Sequence, residues 1–96
     1  MNKYIEVLRE QIDLFNLFDQ VYIFGSTIKG KKCPNDIDIL LVYRKYTKKI
    51  KDEKQVISLS LMKKFKIDID ILLLSEEELK ETKFLEKLNR NYMKIK

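Results

Sequence analysis

The sequence predicts an α/β fold: a small mixed three-stranded sheet flanked by helices, in the order α-β-(turn)-β-α-β-α. Three observations predict it. Three short runs dense in Ile, Leu, Val and Phe (residues 21–24, 36–43 and 66–74) have the length and composition of strands. Stretches with apolar residues at three- and four-residue spacing precede, separate and follow them. The chain is 96 residues long and 45% hydrophobic, enough for one core and too short to divide, so residues 1–96 are expected to form a single domain.

Residues 3–19 place Tyr4, Ile5, Leu8, Ile12, Phe15 and Phe18 on one helical face. Val21-Tyr22-Ile23-Phe24 is a short apolar strand that stops at Gly25-Ser26, and a polar connection with Gly30 and Pro34 follows. Asp36–Tyr43 is the second strand. Residues 47–65 return to a helical period through Ile50, Val56, Ile57, Leu61 and Met62, and Lys66–Leu74 is the third strand. Ser75-Glu76-Glu77-Glu78 has the form of a capping box, with a helix or helices over about residues 76–93.

Composition removes several chemistries. The chain has no histidine, which excludes Ser-His and Cys-His nucleophiles, histidine bases and most zinc or haem sites. One cysteine, Cys33, allows no intrachain disulfide and is read as a loop bystander. Carboxylates, hydroxyls and lysines remain. The N-terminus lacks a signal-peptide pattern and no apolar run approaches the roughly 20 residues that span a bilayer. The expectation is a reduced, cytoplasmic protein without a membrane partner.

The net charge of +5 is uneven: residues 41–66 hold nine basic and two acidic side chains. Such a belt would suit a polyanion. Lysines without interleaved arginine and aromatic residues point rather to a solvated helix face, so nucleic acid ranks below the other partners.

The two acidic strands carry the most information. Along a strand, Asp36 and Asp38 share one face and Ile37, Ile39 and Leu41 the other; Asp68 and Asp70 likewise oppose Ile67, Ile69, Ile71 and Leu73. An ordinary solvated face would remain polar, yet this one continues as Leu40 and Val42, and as Leu72 and Leu74. The acids therefore belong at the strand starts, beside a surface that is covered further along. Nine residues between Ser26 and Asp36 allow an antiparallel reversal, and the helix-length segment after Tyr43 favours a parallel crossover. Gly25-Ser26, Asp36/Asp38 and Asp68/Asp70 then converge. Carboxylates so crowded need cations, and oxygen donors without histidine suit Mg²⁺. Two such ions clamp an in-line phosphoryl or nucleotidyl displacement. Gly25 would let the backbone approach, Ser26 would offer its N–H and hydroxyl to phosphates, and Lys29, Lys31 or Lys32 would add positive charge. Asp70, nearer Leu72-Leu74, is expected to be more enclosed than Asp68.

Phe24-Gly25-Ser26, the nine-residue gap, Asp36-Ile37-Asp38-Ile39 and a later acidic strand together resemble the nucleotidyltransferase superfamily of DNA polymerase beta. The small size resembles its minimal members, including antitoxin partners of HEPN-domain toxins. The resemblance spans about residues 20–75. It implies that Gly25 and Ser26 form the nucleotide-phosphate turn with Lys29 beside it. Asp36 and Asp38 would be the paired metal ligands, and Asp70, five residues before Ser75, the third carboxylate. It further implies two Mg²⁺ ions and transfer of NMP, as AMP from ATP, to an acceptor hydroxyl with pyrophosphate leaving. Because the chain ends soon after the core, the acceptor is expected on a partner, such as a tyrosine of a HEPN-type toxin.

The alternative is an antitoxin that works by contact alone, which exposed apolar residues such as Leu14, Leu17 or Tyr92 would favour. A small basic RNA-binding protein ranks last, since it leaves the acids unexplained. Tyr43 and Tyr46 are read first as packing residues and only second as flanking a base or acceptor.

Overall fold

The sheet has four strands: β1 (Gln20–Phe24), β2 (Asp36–Tyr43), β3 (Asp68–Ser75) and β4 (Tyr92–Lys94), in the spatial order β3-β2-β1-β4. This computed structural model describes residues 3–25, 28 and 36–96. β1 and β2 are antiparallel, and β2 and β3 run parallel across the helix between them, as the connection lengths predict. The fold class is therefore as expected, with one strand more than the three predicted.

That extra strand comes from the segment expected to be the last helix. α3 (Glu76–Thr82) ends at Lys83 with φ 52°, and α4 (Phe84–Lys87) is a single turn. Asn89 and Arg90 then take positive φ (52° and 68°), turning the chain so that Tyr92, Met93 and Lys94 pair with Phe24, Ile23 and Tyr22. Two consecutive left-handed residues end a helix, and the open edge of β1 gains a backbone partner. The signal was present as Asn89-Arg90-Asn91 before an alternating Tyr-Met-Lys-Ile.

The first helix is also shorter than residues 3–19. α1 (Lys3–Glu10) stops, and Ile12–Phe15 forms a 3-10 turn. Asp13, Asn16 and Asp19 are weak helix formers whose side chains compete for nearby backbone groups. The Lys96 ammonium donates to the carbonyls of Phe15 (2.9 Å) and Asn16 (3.4 Å), satisfying the end of that turn from the far end of the chain.

α2 (Lys48–Phe65) keeps the predicted limits. Thr47 caps it, accepting from the Ile50 N–H, and Lys66 closes it in the left-handed region at φ 59°. The capping box before α3 is present in both halves: Ser75 Oγ accepts from the Glu78 N–H, and the Glu78 carboxylate accepts from the Ser75 N–H.

The sheet separates two apolar layers. On one side Val21, Ile23, Ile37, Ile39, Leu41 and Ile69 pack with Leu8, Phe15 and the α2 residues Ile50, Ile57 and Leu61. On the other, Tyr22, Leu40 and Val42 meet Phe24, Leu72, Leu74, Tyr92 and the α3–α4 residues Leu79, Phe84 and Leu85. Phe15 and Ile39 are wholly buried; truncating either to Ala would cost about 2–5 kcal/mol. The short α3–α4 pair covers only the far half of its side. The even-numbered side chains at the starts of β2 and β3 stay outside that cover, and those side chains are aspartates. Among the described residues no helix is long and apolar enough to cross a membrane.

Candidate functional site

Register places the acids. In the parallel pair Asp36 lies beside Asp68 and Asp38 beside Asp70, while in the antiparallel pair Asp38 lies opposite Phe24. Asp36, Asp38 and Asp70 each bring a carboxylate oxygen within 4.8 Å of the other two. Asp68 is outside this group and points into solvent.

The enclosure expected of Asp70 falls instead on Asp36 and Asp38, which are half-buried, whereas Asp70 is exposed. The reason is topological. β2 is an inner strand with neighbours on both sides, and β3 is at the sheet's edge.

Crowding shows in the proton affinities. Asp38 is held above the usual carboxylate range, first by burial and then by the charges of Asp36 and Asp70. Asp70 is raised chiefly by a side-chain hydrogen bond with Asp36, then by partial desolvation and the charges of Asp36 and Asp68. Three carboxylates this close repel one another, and a proton bound by Asp38 or Asp70 eases that repulsion, which is why both hold one more tightly than a free carboxylate does. A divalent cation would serve the same purpose, and an all-oxygen donor set that is open on one side fits a hard ion such as Mg²⁺.

Gly25 ends β1 with φ +79°, and a Cβ built on it would overlap the Oδ2 of Asp38. Glycine at this position leaves room for that carboxylate, a role that sequence reasoning had given only to phosphate approach. Sequence reasoning gave Phe24 no role beyond its place in the motif; its ring packs edge-to-face on Phe84 (5.4 Å between centroids) and its backbone lies opposite Asp38. The signal was hidden because a nine-residue connection does not fix the β1–β2 register. Ile28 donates its N–H to the Gly25 carbonyl at 3.1 Å, beginning the turn after the strand. The expectations for Ser26 and Lys29, and for Gly30, Lys31, Lys32, Cys33 and Pro34, lie outside the described residues.

Tyr43 and Tyr46 are excluded from this site. Tyr43 pairs with Ser75 at the other end of β2, about 17 Å from Asp38 at the usual rise per residue. Its hydroxyl donates to Glu78 at 3.3 Å and its ring meets Tyr46 edge-on. A shallow groove of about 240 Å³ between Gln20, Tyr22, Leu79 and Leu85 likewise includes none of the three acids.

Of the expected basic belt, Lys48, Lys49, Lys51, Lys63 and Lys64 are exposed on α2, and Arg44 approaches Asp19 at 3.5 Å. The site's carboxylates sit on β2 and β3, outside this helix.

The family model described as "Polymerase beta, Nucleotidyltransferase" matches residues 2–90. Among solved structures, a chain from a mutant form of the toxin–antitoxin pair MntA-HpeT is 16% identical. It superposes with a TM-score of 0.62 over 95% of this chain and 70% of its own. A putative nucleotidyltransferase from Sulfolobus solfataricus is 25% identical, with a TM-score of 0.46 over 95% of this chain and 74% of its own. No curated protein matches the chain.

Proposed function

Because this chain belongs to the polymerase beta nucleotidyltransferase family, we propose that it is a Mg²⁺-dependent enzyme moving an NMP, AMP from ATP in the first instance, onto an acceptor hydroxyl. The observation that carries the reading is the convergence of Asp36, Asp38 and Asp70 within 4.8 Å at the uncovered end of the sheet. In the reaction the acceptor oxygen forms a bond to the α-phosphorus, the bond from that phosphorus to the bridging oxygen breaks, and pyrophosphate leaves. Two Mg²⁺ ions held by Asp36, Asp38 and Asp70 would supply charge for the triphosphate and lower the pKa of the acceptor hydroxyl. Asp36 and Asp38, half-buried and fixed by the inner strand, orient the nucleotide. Asp70, on the same open face as Asp36 and Asp38, is assigned to the acceptor side, where its ionised carboxylate would receive the hydroxyl proton. Gly25 keeps the Asp38 carboxylate free to turn inward; Ser26 and Lys29 are assigned to the phosphates.

The likeness to a toxin–antitoxin protein supports an acceptor on a partner protein, and we assign that role to a tyrosine of a HEPN-type toxin in the cytoplasm. The whole of residues 1–96 is taken as one catalytic domain. A contact-only antitoxin is less favoured. Of the apolar residues that would mark it, Leu14 packs on the larger core and Tyr92 on the smaller, leaving Leu17 exposed.

Incubation of the purified chain and its co-encoded partner with ATP labelled at the α- or the γ-phosphate tests the reading. Label is expected on the partner from the α-position only, with Mg²⁺ present and pyrophosphate released. Transfer of the γ-label, or no transfer from any of the four NTPs, would defeat it.

A further inference from the structure

We infer that β3 is a docking edge for a second copy of this chain, which adds its own β3 antiparallel to form one continuous sheet across two molecules. The two edges of the sheet differ. β4 is three residues long, and beyond it the Ile95 and Lys96 N–H groups still bond to Val21. β3 is eight residues long, and all eight pair in unbroken register with β2. On its other side every second N–H and C=O points away from β2, and among the described residues no backbone group meets them.

Natural edges of this length are usually guarded by lysine, proline, a bulge or a covering segment. β3 has none of the first three, and its only charges, Asp68 and Asp70, sit at its start. Ile71, Leu72, Leu73 and Leu74 stay half-exposed although they touch the two apolar layers.

The charges around the strand select the occupant. Exposed Lys63, Lys64 and Lys66 lead into β3, and Glu76 and Glu77 follow it. Among the described residues none of these five is in an ion pair. An antiparallel copy sets the lysines of each molecule beside the glutamates of the other, twice over. A parallel copy would oppose like to like.

The same charges select a register. With the two-fold axis at Ile71, Ile69 faces the second copy's Leu73, while Asp70 and Asp68 face its Leu72 and Leu74. A two-fold moved one residue back sets Asp70 against itself; one residue forward carries Asp68 past the end of the second copy's strand, toward Glu76 and Glu77 at the start of its α3. Like charges directly opposite destabilise a ladder. In the Ile71 register the odd-numbered side chains of both copies face the same side, so the two larger cores continue across the join. Asp70, exposed in the single chain, gains a strand beside it.

Sedimentation of the full chain from low-micromolar to sub-millimolar concentration should show a monomer–dimer equilibrium. The Glu76→Lys/Glu77→Lys and Lys63→Glu/Lys64→Glu variants should each dissociate at least about ten-fold more readily. Mixing the two should restore the dimer, because the altered charges complement each other at both contacts. For the wild-type chain, amide exchange within residues 68–75 should slow as concentration rises. A chain that stays monomeric throughout overturns the inference, as does a dimer indifferent to both charge reversals. A dimer broken by Leu59→Lys and not by the reversals would instead place the join on the outer face of α2, where Val56, Leu59 and Met62 are exposed.

Discussion

Gly25 and Asp38 occupy one space: the glycine has no side chain where the aspartate's Oδ2 sits, and its φ of +79° is one that residues with a Cβ rarely adopt. The end of β1 and the start of β2 are therefore interdependent. In the Gly25→Ala variant the new methyl must displace the carboxylate, and the backbone bears a further cost of about 1–2 kcal/mol. The melting temperature should fall by several degrees. Transfer activity should fall further than that loss explains, with Mg²⁺-ATP no longer raising the melting temperature. An Ala variant that keeps the ligand-induced rise would show that Asp38 does not need its present rotamer.

Asp38 itself should be dispensable for folding. Its carboxyl is raised, by burial first and then by Asp36 and Asp70. A carboxyl raised in the folded state binds its proton more tightly there than in the unfolded chain. Its contribution to stability is full below the ordinary carboxylate pKa and is lost as pH rises through the folded value. At neutral pH the ion-free protein therefore carries a penalty that Asp38→Asn removes. Without Mg²⁺ the variant should melt at or a little above the wild-type temperature, and its stability should respond less to acidification. Transfer should be abolished. Equal gains in melting temperature from Mg²⁺-ATP in both proteins would remove Asp38 from the ligand set.

The hinge between β3 and α3 rests on Ser75, which accepts from the Glu78 N–H at 3.0 Å while Glu78 accepts from the Ser75 N–H at 2.9 Å. The Ser75 backbone N–H first, and then its hydroxyl, hold the Glu78 carboxyl below its ordinary value. Ser75→Ala should cost about 1 kcal/mol, or roughly 4–8 °C in melting temperature for a domain this small. Chemistry at the distant acids should be unchanged, so a loss of kcat in this variant would mean that the two ends of the sheet are coupled.

What could be read from the sequence divides along a physical line. Asp36–Tyr43 was legible to the residue, because an inner strand is fixed by its own alternation of apolar and acidic side chains. The capping box was legible for the same reason: its two bonds are local to Ser75 and Glu78. That the acids at the starts of β2 and β3 converge followed from connection lengths; the choice of Asp70 over Asp68 came from the family resemblance. The depth of Asp70 did not, because burial depends on whether a strand is inner or outer, and nothing near Asp70 encodes that β3 has only one neighbour. β4 escaped for a related reason. Residues 84–93 have a helical period, and only the open edge of β1 explains why Tyr92–Lys94 leaves it.

The basic belt offers a control. Lys48, Lys49 and Lys51 lie exposed in the first turn of α2, which has no acidic residue. Positive charge there opposes the helix dipole. Replacing all three with Gln should leave transfer and partner affinity within about two-fold, since exposed charges are screened at physiological salt, and should slightly raise stability. A loss of partner affinity that steepens at low salt would instead assign the belt to an acidic or polyanionic partner.

Asp68 and Asp70 are both exposed, two residues apart on one face of β3, yet the geometry treats them differently. Asp70 pairs in register with Asp38, and its carboxylate comes within 4.8 Å of those of Asp36 and Asp38. Asp68 pairs with Asp36 but stays outside the cluster and acts on it through the charge it places near Asp70. Asp70→Ala should therefore abolish single-turnover transfer while Mg²⁺-NTP binding survives in part through Asp36 and Asp38. Asp68→Ala should keep at least about a tenth of the rate, a loss under roughly 1.4 kcal/mol in the barrier. Removing that neighbouring charge also lets Asp70 release its proton more easily. The acid limb of the pH–rate profile should then move to lower pH in Asp68→Ala, a displacement that a purely structural role for Asp68 would not produce. If Asp68→Ala proves the more severe and the acid limb stays in place, the third carboxylate is Asp68, and the approach of Asp70 to Asp36 and Asp38 belongs to the ion-free state alone.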